Sequence, residues 1–219
     1  MLRGSPFVYD NLVILMRAYF RIRGGLTTYG AEHLPAEGGY IIAPNHLSYL
    51  DPPAIALTHR RRIIPMAKVE LWDNPFFARI MTGIGAIPVQ RGAADREAIR
   101  IAIDVLKAGE PLLLFPEGTR GDGVTLGEFS SGPMLMSRMA NVPIIPAAVV
   151  GTQVVMPRKG RGRGRNHPMS VTYGAPIDPA EFARDPDRNA LNRALMARIQ
   201  ALAATRGLML ADPSAERAE

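Results

Sequence analysis

Short apolar runs alternate with longer segments in which apolar positions recur every three or four residues. Tyr40 to Ala43 is the first such run and ends at Pro44. Ile63 to Ala67, Ile87 to Val89, Leu112 to Phe115, Ile144 to Val150 and Met169 to Tyr173 follow the same pattern. Runs of this length, bounded by turn residues, read as buried strands. The segments between them read as helices. Asp51, Pro52 and Pro53 suit an N-cap and first turn of a helix to about Thr58. Asn74-Pro75 starts another, through roughly Thr82. Asp95 to Ala108 places Ile99, Ala102, Ile103 and Leu106 on one face, with Gly109 past its end. Leu135 to Ala140 is a further helical segment. Asn189 to Thr205 carries Leu191, Leu195, Ile199 and Leu202 on one side, and the chain from Asp212 onward reads as frayed. Strands separated by helices predict an α/β fold: a mixed, largely parallel sheet flanked by helices.

The first helical segment has a different pattern. Between Phe7 and Arg23, Asp10, Arg17 and Arg21 share one stripe, while Val8, Leu12, Leu15 and Tyr19 form the opposite one. This is an amphipathic helix, too short and too charged to span a bilayer. It fits a helix lying in a membrane interface and equally one that packs on the domain. Met139 to Pro157 carries no charge, but its prolines and the Gly151-Thr152-Gln153 step indicate a buried strand with turns rather than a span. The expected organisation is an N-terminal amphipathic helix over 1–24, one domain over 25–210 and a tail over 211–219.

Composition narrows the chemistry. The 219 residues suit one domain, and 47% hydrophobic residues supply a core. There is no cysteine, which excludes disulfides, a thiol nucleophile and Cys-based zinc sites. The net charge is +6, and Arg158, Lys159, Arg161, Arg163 and Arg165 supply five of those charges in an acid-free stretch with alternating glycines. That loop points to an anionic surface, with lipid headgroups favoured over a donor phosphate or plain solubility. Gly-Arg alternation also occurs in nucleic-acid-binding segments, but aromatics are 6% and no basic face with stacking rings accompanies it, which argues against a nucleic-acid partner.

Three polar groups each follow an apolar strand. The first is Asn45-His46-Leu47-Ser48-Tyr49-Leu50-Asp51. A carboxylate five residues after a histidine can take one ring N–H and leave the other nitrogen to accept a proton. Spacing alone also admits a satisfied loop histidine beside a helix-capping aspartate. The second is Phe115-Pro116-Glu117-Gly118-Thr119-Arg120, which suits a grip on a phosphate and its neighbouring polar groups. The third is Gly85 to Arg91, ending in a second arginine at a strand terminus. Ligands of α/β sheets bind beyond the carboxyl ends of strands, so neighbouring strands would bring these groups to one rim.

Together these segments resemble the glycerolipid acyltransferases. Asn45 to Asp51 matches the family's Asn-His-x4-Asp motif, Gly85 to Arg91 its second, Pro116 to Arg120 its Pro-Glu-Gly-Thr-Arg motif, and Val142 to Ala147 its apolar fourth. The resemblance covers roughly Gly25 to Ile177 and implies a glycerol-3-phosphate acyltransferase-like fold. It implies His46 and Asp51 as the catalytic pair. Asn45, Lys68, Arg91, Glu117, Gly118, Thr119 and Arg120 are implied around the substrate. It also implies transfer of an acyl group from acyl-CoA or acyl carrier protein to a lysophospholipid hydroxyl, 1-acylglycerol 3-phosphate first among acceptors. No metal or redox cofactor is implied, and the expected place is the cytoplasmic face of a membrane, held peripherally or monotopically. One departure stands out. Relatives often carry Phe-x-Lys-Gly where this chain has Phe129-Ser130-Ser131-Gly132, which leaves other lyso-lipid acceptors open. A serine hydrolase is the rival enzyme reading, although no Gly-x-Ser-x-Gly elbow is present. An apolar slot for the acyl chain is expected among Leu71, Trp72, Phe76, Phe77, Ile80 and Met81.

Overall fold

A computed structural model describes residues 4–90, 95–158, 166–182 and 189–213. Arg91 and Lys159 to Arg165 lie outside the described residues, so neither the second-motif arginine nor most of the basic loop is placed.

Seven strands form one sheet. They are β1 (Leu26–Tyr29), β2 (Tyr40–Pro44), β3 (Ile64–Lys68), β4 (Ile87–Val89), β5 (Pro111–Leu113), β6 (Ile144–Val150) and β7 (Met169–Tyr173). Their spatial order is β1-β7-β6-β2-β5-β3-β4. Every pairing is parallel except β6 with β7, so β1 and β7 run against the other five. The sheet is mixed and largely parallel, as the alternation of elements predicts.

Strand β2 sits at the centre and explains the apolar runs. Ile41 and Ala43 point into one core, and Tyr40 and Ile42 into the other. Leu112 and Leu113 of β5 divide the same way, as do Ile144 and Ile145 of β6. A strand covered on both faces has no place for polar residues. The first core is closed by α4 (Arg96–Lys107), α5 (Gly132–Ala140) and α7 (Ala190–Ala204). The second is closed by α1 (Pro6–Ile22) and α2 (Asp51–Thr58), with α3 (Pro75–Ile84) packed beside α1.

Caps fix the helix starts. The Asn74 side chain accepts from the Phe76 and Phe77 amides at the head of α3. That of Asp95 accepts from Ala98 at the head of α4. One expected cap is different: α2 begins at Asp51 itself, and no side chain caps it. Pro52 and Pro53 have no N–H to offer, which leaves the Asp51 carboxylate free to turn back toward the preceding loop. Strand β5 ends at Leu113, two residues before the expected Phe115, which has left the sheet.

Helix α1 has two apolar faces. Met16, Tyr19 and Phe20 pack into the second core. Phe7, Ile14, Leu15 and Ile22 point outward and are 62–76% exposed. Leu15 therefore does not share the packed side with Val8, Leu12 and Tyr19 as the two-stripe reading had it. No helix among the described residues is long and apolar enough to cross a membrane.

Candidate active site

Strand β2 delivers His46 to the rim of the sheet, and the chain then doubles back into α2. His46 Nδ1 lies 2.9 Å from Asp51 Oδ2, with the histidine side chain 15% exposed and the aspartate fully buried. The same oxygen accepts from the backbone amides of Leu47 at 2.6 Å and Ser48 at 2.8 Å. The other oxygen, Oδ1, accepts from the Thr152 hydroxyl at 2.5 Å. Burying a carboxylate is costly unless such donors satisfy its oxygens. His46 Nε2 has no hydrogen-bond partner among the described residues. The imidazole stacks on Phe115, with centroids 4.0 Å apart and planes at 26°. A ring held on one face and at Nδ1 has one free nitrogen and one orientation.

The third-motif loop lies against this histidine. Glu117 Oε1 accepts from the His46 backbone amide at 2.8 Å, and Oε2 accepts from Gly127 at 2.9 Å. The Gly121 amide donates to the His46 carbonyl at 2.7 Å. Burial pushes the Glu117 carboxyl above its ordinary range, and the two amide donors only partly offset that. Glu117 thus braces two loops through both carboxylate oxygens. Gly118 takes φ +62°, the left-handed region a turn needs here, and Gly118 and Thr119 are exposed. The Arg120 guanidinium lies over the exposed Tyr49 ring, 3.7 Å from its centroid. Lys68, at the exposed end of β3, stands on the neighbouring strand terminus.

Asn45 is corrected by the geometry. It was expected to touch substrate, but it is fully buried. Its Nδ2 donates to the Val149 carbonyl at 3.0 Å and its Oδ1 accepts from the Val149 amide at 2.7 Å. An amide side chain mimicking a peptide unit clips the loop to β6. Ser48 adds a third tie by donating to the Met156 carbonyl.

An apolar cavity of about 690 Å³ is walled by α1, α2, β3 and α3. Phe115, the ring stacked on the His46 imidazole, lines it together with Tyr49 and Leu50, and α1 contributes Leu12 and Met16. Of the residues expected in an acyl slot, Leu71, Phe77, Ile80 and Met81 line it. Trp72 is turned to donate to Thr82, and Phe76 is 68% exposed.

An α/β sheet with a histidine–carboxylate pair after its central strand and an apolar cavity in the same molecule is suited to acid–base group transfer. The acyltransferase family model matches residues 25–150. The chain is 32% identical over 204 residues to the 1-acyl-sn-glycerol-3-phosphate acyltransferase of Bacillus subtilis (strain 168), covering 89% of this chain and 96% of that one. It is 31% identical over 198 residues to a probable 1-acyl-sn-glycerol-3-phosphate acyltransferase of Mycoplasma pneumoniae, covering 84% of this chain and 74% of that one. Among solved structures, the 1-acyl-sn-glycerophosphate (LPA) acyltransferase PlsC of Thermotoga maritima superposes with a TM-score of 0.73 over 90% of this chain and 81% of that chain, at 21% identity. This chain belongs to the acyltransferase family.

Thr152 and Phe115 escaped the sequence reading as parts of this site. Phe115 was legible only as a strand residue. Thr152 lies 101 positions from Asp51 and had no local signal.

Proposed function

We propose that this acyltransferase moves a fatty acyl group from a thioester, acyl-CoA or acyl carrier protein, to the free hydroxyl of 1-acylglycerol 3-phosphate, giving phosphatidic acid. The observation that carries this reading is the His46 Nδ1–Asp51 Oδ2 contact of 2.9 Å with Nε2 left unpartnered among the described residues, the imidazole being stacked on Phe115, which lines the apolar cavity. His46 Nε2 takes the proton of the acceptor hydroxyl, and the oxygen attacks the thioester carbonyl. Asp51 stabilises the imidazolium that results. The tetrahedral intermediate collapses as the C–S bond breaks, and the sulfur leaves with the proton held by His46. The products are the new ester and the free thiol.

Arg120 and Lys68 are the phosphate ligands of this reading, with the exposed Thr119 hydroxyl as a further donor. Stacking on Tyr49 leaves the in-plane N–H groups of Arg120 available to phosphate oxygens. The acyl chain occupies the cavity. Helix α1 then lies on a bilayer surface through Phe7, Ile14, Leu15 and Ile22, with its inner face roofing the cavity.

A transfer assay over a panel of lysolipids, with both thioester donors, tests the reading. Phosphatidic acid from 1-acylglycerol 3-phosphate is expected as the main product. Preferential acylation of an acceptor without a terminal phosphate would refute the assignment of acceptor. Acyl release to water without transfer would favour the hydrolase instead.

A further inference from the structure

The end of β6 and the segment after it hold the loop 45–51 at three points. Two are the Asn45–Val149 pair and the Ser48–Met156 contact. The third reaches the carboxylate itself. Thr152 begins α6 (Thr152–Val155), immediately after Gly151 at φ +91°. A side chain on Gly151 would meet the Pro168 carbonyl at 2.3 Å, so the turn that aims Thr152 tolerates only glycine. Thr152 is fully buried, and its hydroxyl donates to Asp51 Oδ1 at 2.5 Å. That length is at the short end for an O–H···O hydrogen bond.

The three other donors around Asp51, namely Leu47 N, Ser48 N and the His46 ring, all meet Oδ2. Among the described residues, Thr152 is therefore the one partner of Oδ1. Without it the carboxylate keeps its local contacts but loses the contact that fixes its plane. Rotation of that plane would carry Oδ2 away from the imidazole.

We propose that Thr152 is a positioning residue for the acyl-transfer step: its hydroxyl fixes the Asp51 carboxylate so that Oδ2 holds His46 in the orientation that accepts the hydroxyl proton. This rests on the reading of His46 and Asp51 as the catalytic pair. Thr152 is fully buried and its hydroxyl bonds Asp51, so its effect on the site passes through Asp51.

Acyl transfer by the full-length protein on vesicles tests it, with Thr152→Val as the near-isosteric variant. The expected result is a fall in kcat of roughly 5- to 100-fold, the loss due to one buried donor, with KM for both substrates within about twofold. Thr152→Ser, which keeps the hydroxyl, restores kcat to within about threefold. In an Asp51→Ala background, Thr152→Val lowers kcat no further, because coupled residues are not additive. Thr152→Ala carries the same comparisons if Thr152→Val does not fold. Equal fold-losses in both backgrounds, no rescue by serine, or an effect confined to KM would each overturn the proposal. His46→Ala is assayed alongside: its inactivity with a fully active Thr152→Val sinks the Thr152 role alone, whereas an active His46→Ala sinks the underlying reading.

Discussion

Two histidines flank the same β2–α2 unit and make opposite use of their rings. His46 lies at the end of β2, with Nδ1 on Asp51 and Nε2 free. His59 lies at the end of α2, with Nδ1 against the Arg61 carbonyl at 2.7 Å and Nε2 against the Tyr40 hydroxyl at 2.6 Å. Both rings are partly buried and both sit beside an aromatic ring. The difference is one ring nitrogen, uncommitted among the described residues in one case and used up by a tyrosine in the other. A histidine with both nitrogens satisfied is architecture, and one with an oriented ring and a free nitrogen is equipped for proton transfer.

The strongest attack on that contrast is to remove each imidazole in turn. His46→Ala should lower kcat by about 10²–10⁴-fold, the usual contribution of a general base, while the protein stays folded. His59→Gln should leave turnover within about threefold, since nothing in its setting reaches the cavity. Substantial transfer by His46→Ala, or collapse of activity in His59→Gln, would erase the distinction.

A smaller effect separates base from grip. Arg120→Ala should raise the acceptor KM by roughly 10- to 100-fold, the range for a lost hydrogen bond to a charged group, with less change in kcat. A KM unchanged for the phosphate-bearing acceptor would remove Arg120 from phosphate recognition. Smaller again is the cavity effect. Ile80→Trp fills part of the wall and should shift the preferred donor toward shorter chains, at about fourfold per methylene excluded. Competition between two donor lengths in one assay reads this directly.

The fold was legible because double-sided burial leaves unbroken apolar runs, and β2, β5 and β6 are all of that kind. Strand β1 was missed: Leu26-Thr27-Thr28-Tyr29 is an edge strand of alternating burial with only two apolar positions. The four-residue α6 is too short for any periodicity. In the site, the His46–Asp51 relation could be read because both ends lie in one loop. Residue types announced chemistry but not direction. Asn45 and Glu117 carry the right groups yet spend them on backbone amides of Val149, His46 and Gly127. The Thr152 contact and the cavity walls arise only when distant segments meet.

The least dramatic test concerns stability. Burial lowers the pKa of His59 below its ordinary 6.5, and the nearby Arg61 charge acts the same way, outweighing the Arg61 carbonyl contact. The unfolded chain therefore binds a proton near pH 6.5 that the folded chain refuses until lower pH. Across that window the unfolded state holds more protons, so stability rises with pH there and is lost as pH falls from about 6.5 toward the depressed folded value. Glutamine at position 59 has no such equilibrium. The stability advantage of the wild type over His59→Gln, measured by urea denaturation, should be full at pH 7.5 and shrink steadily below about pH 6.5. A difference independent of pH would mean that His59 is not held neutral by its surroundings. The two histidines would then differ only in what lies beside them, and no longer in how their protons are controlled.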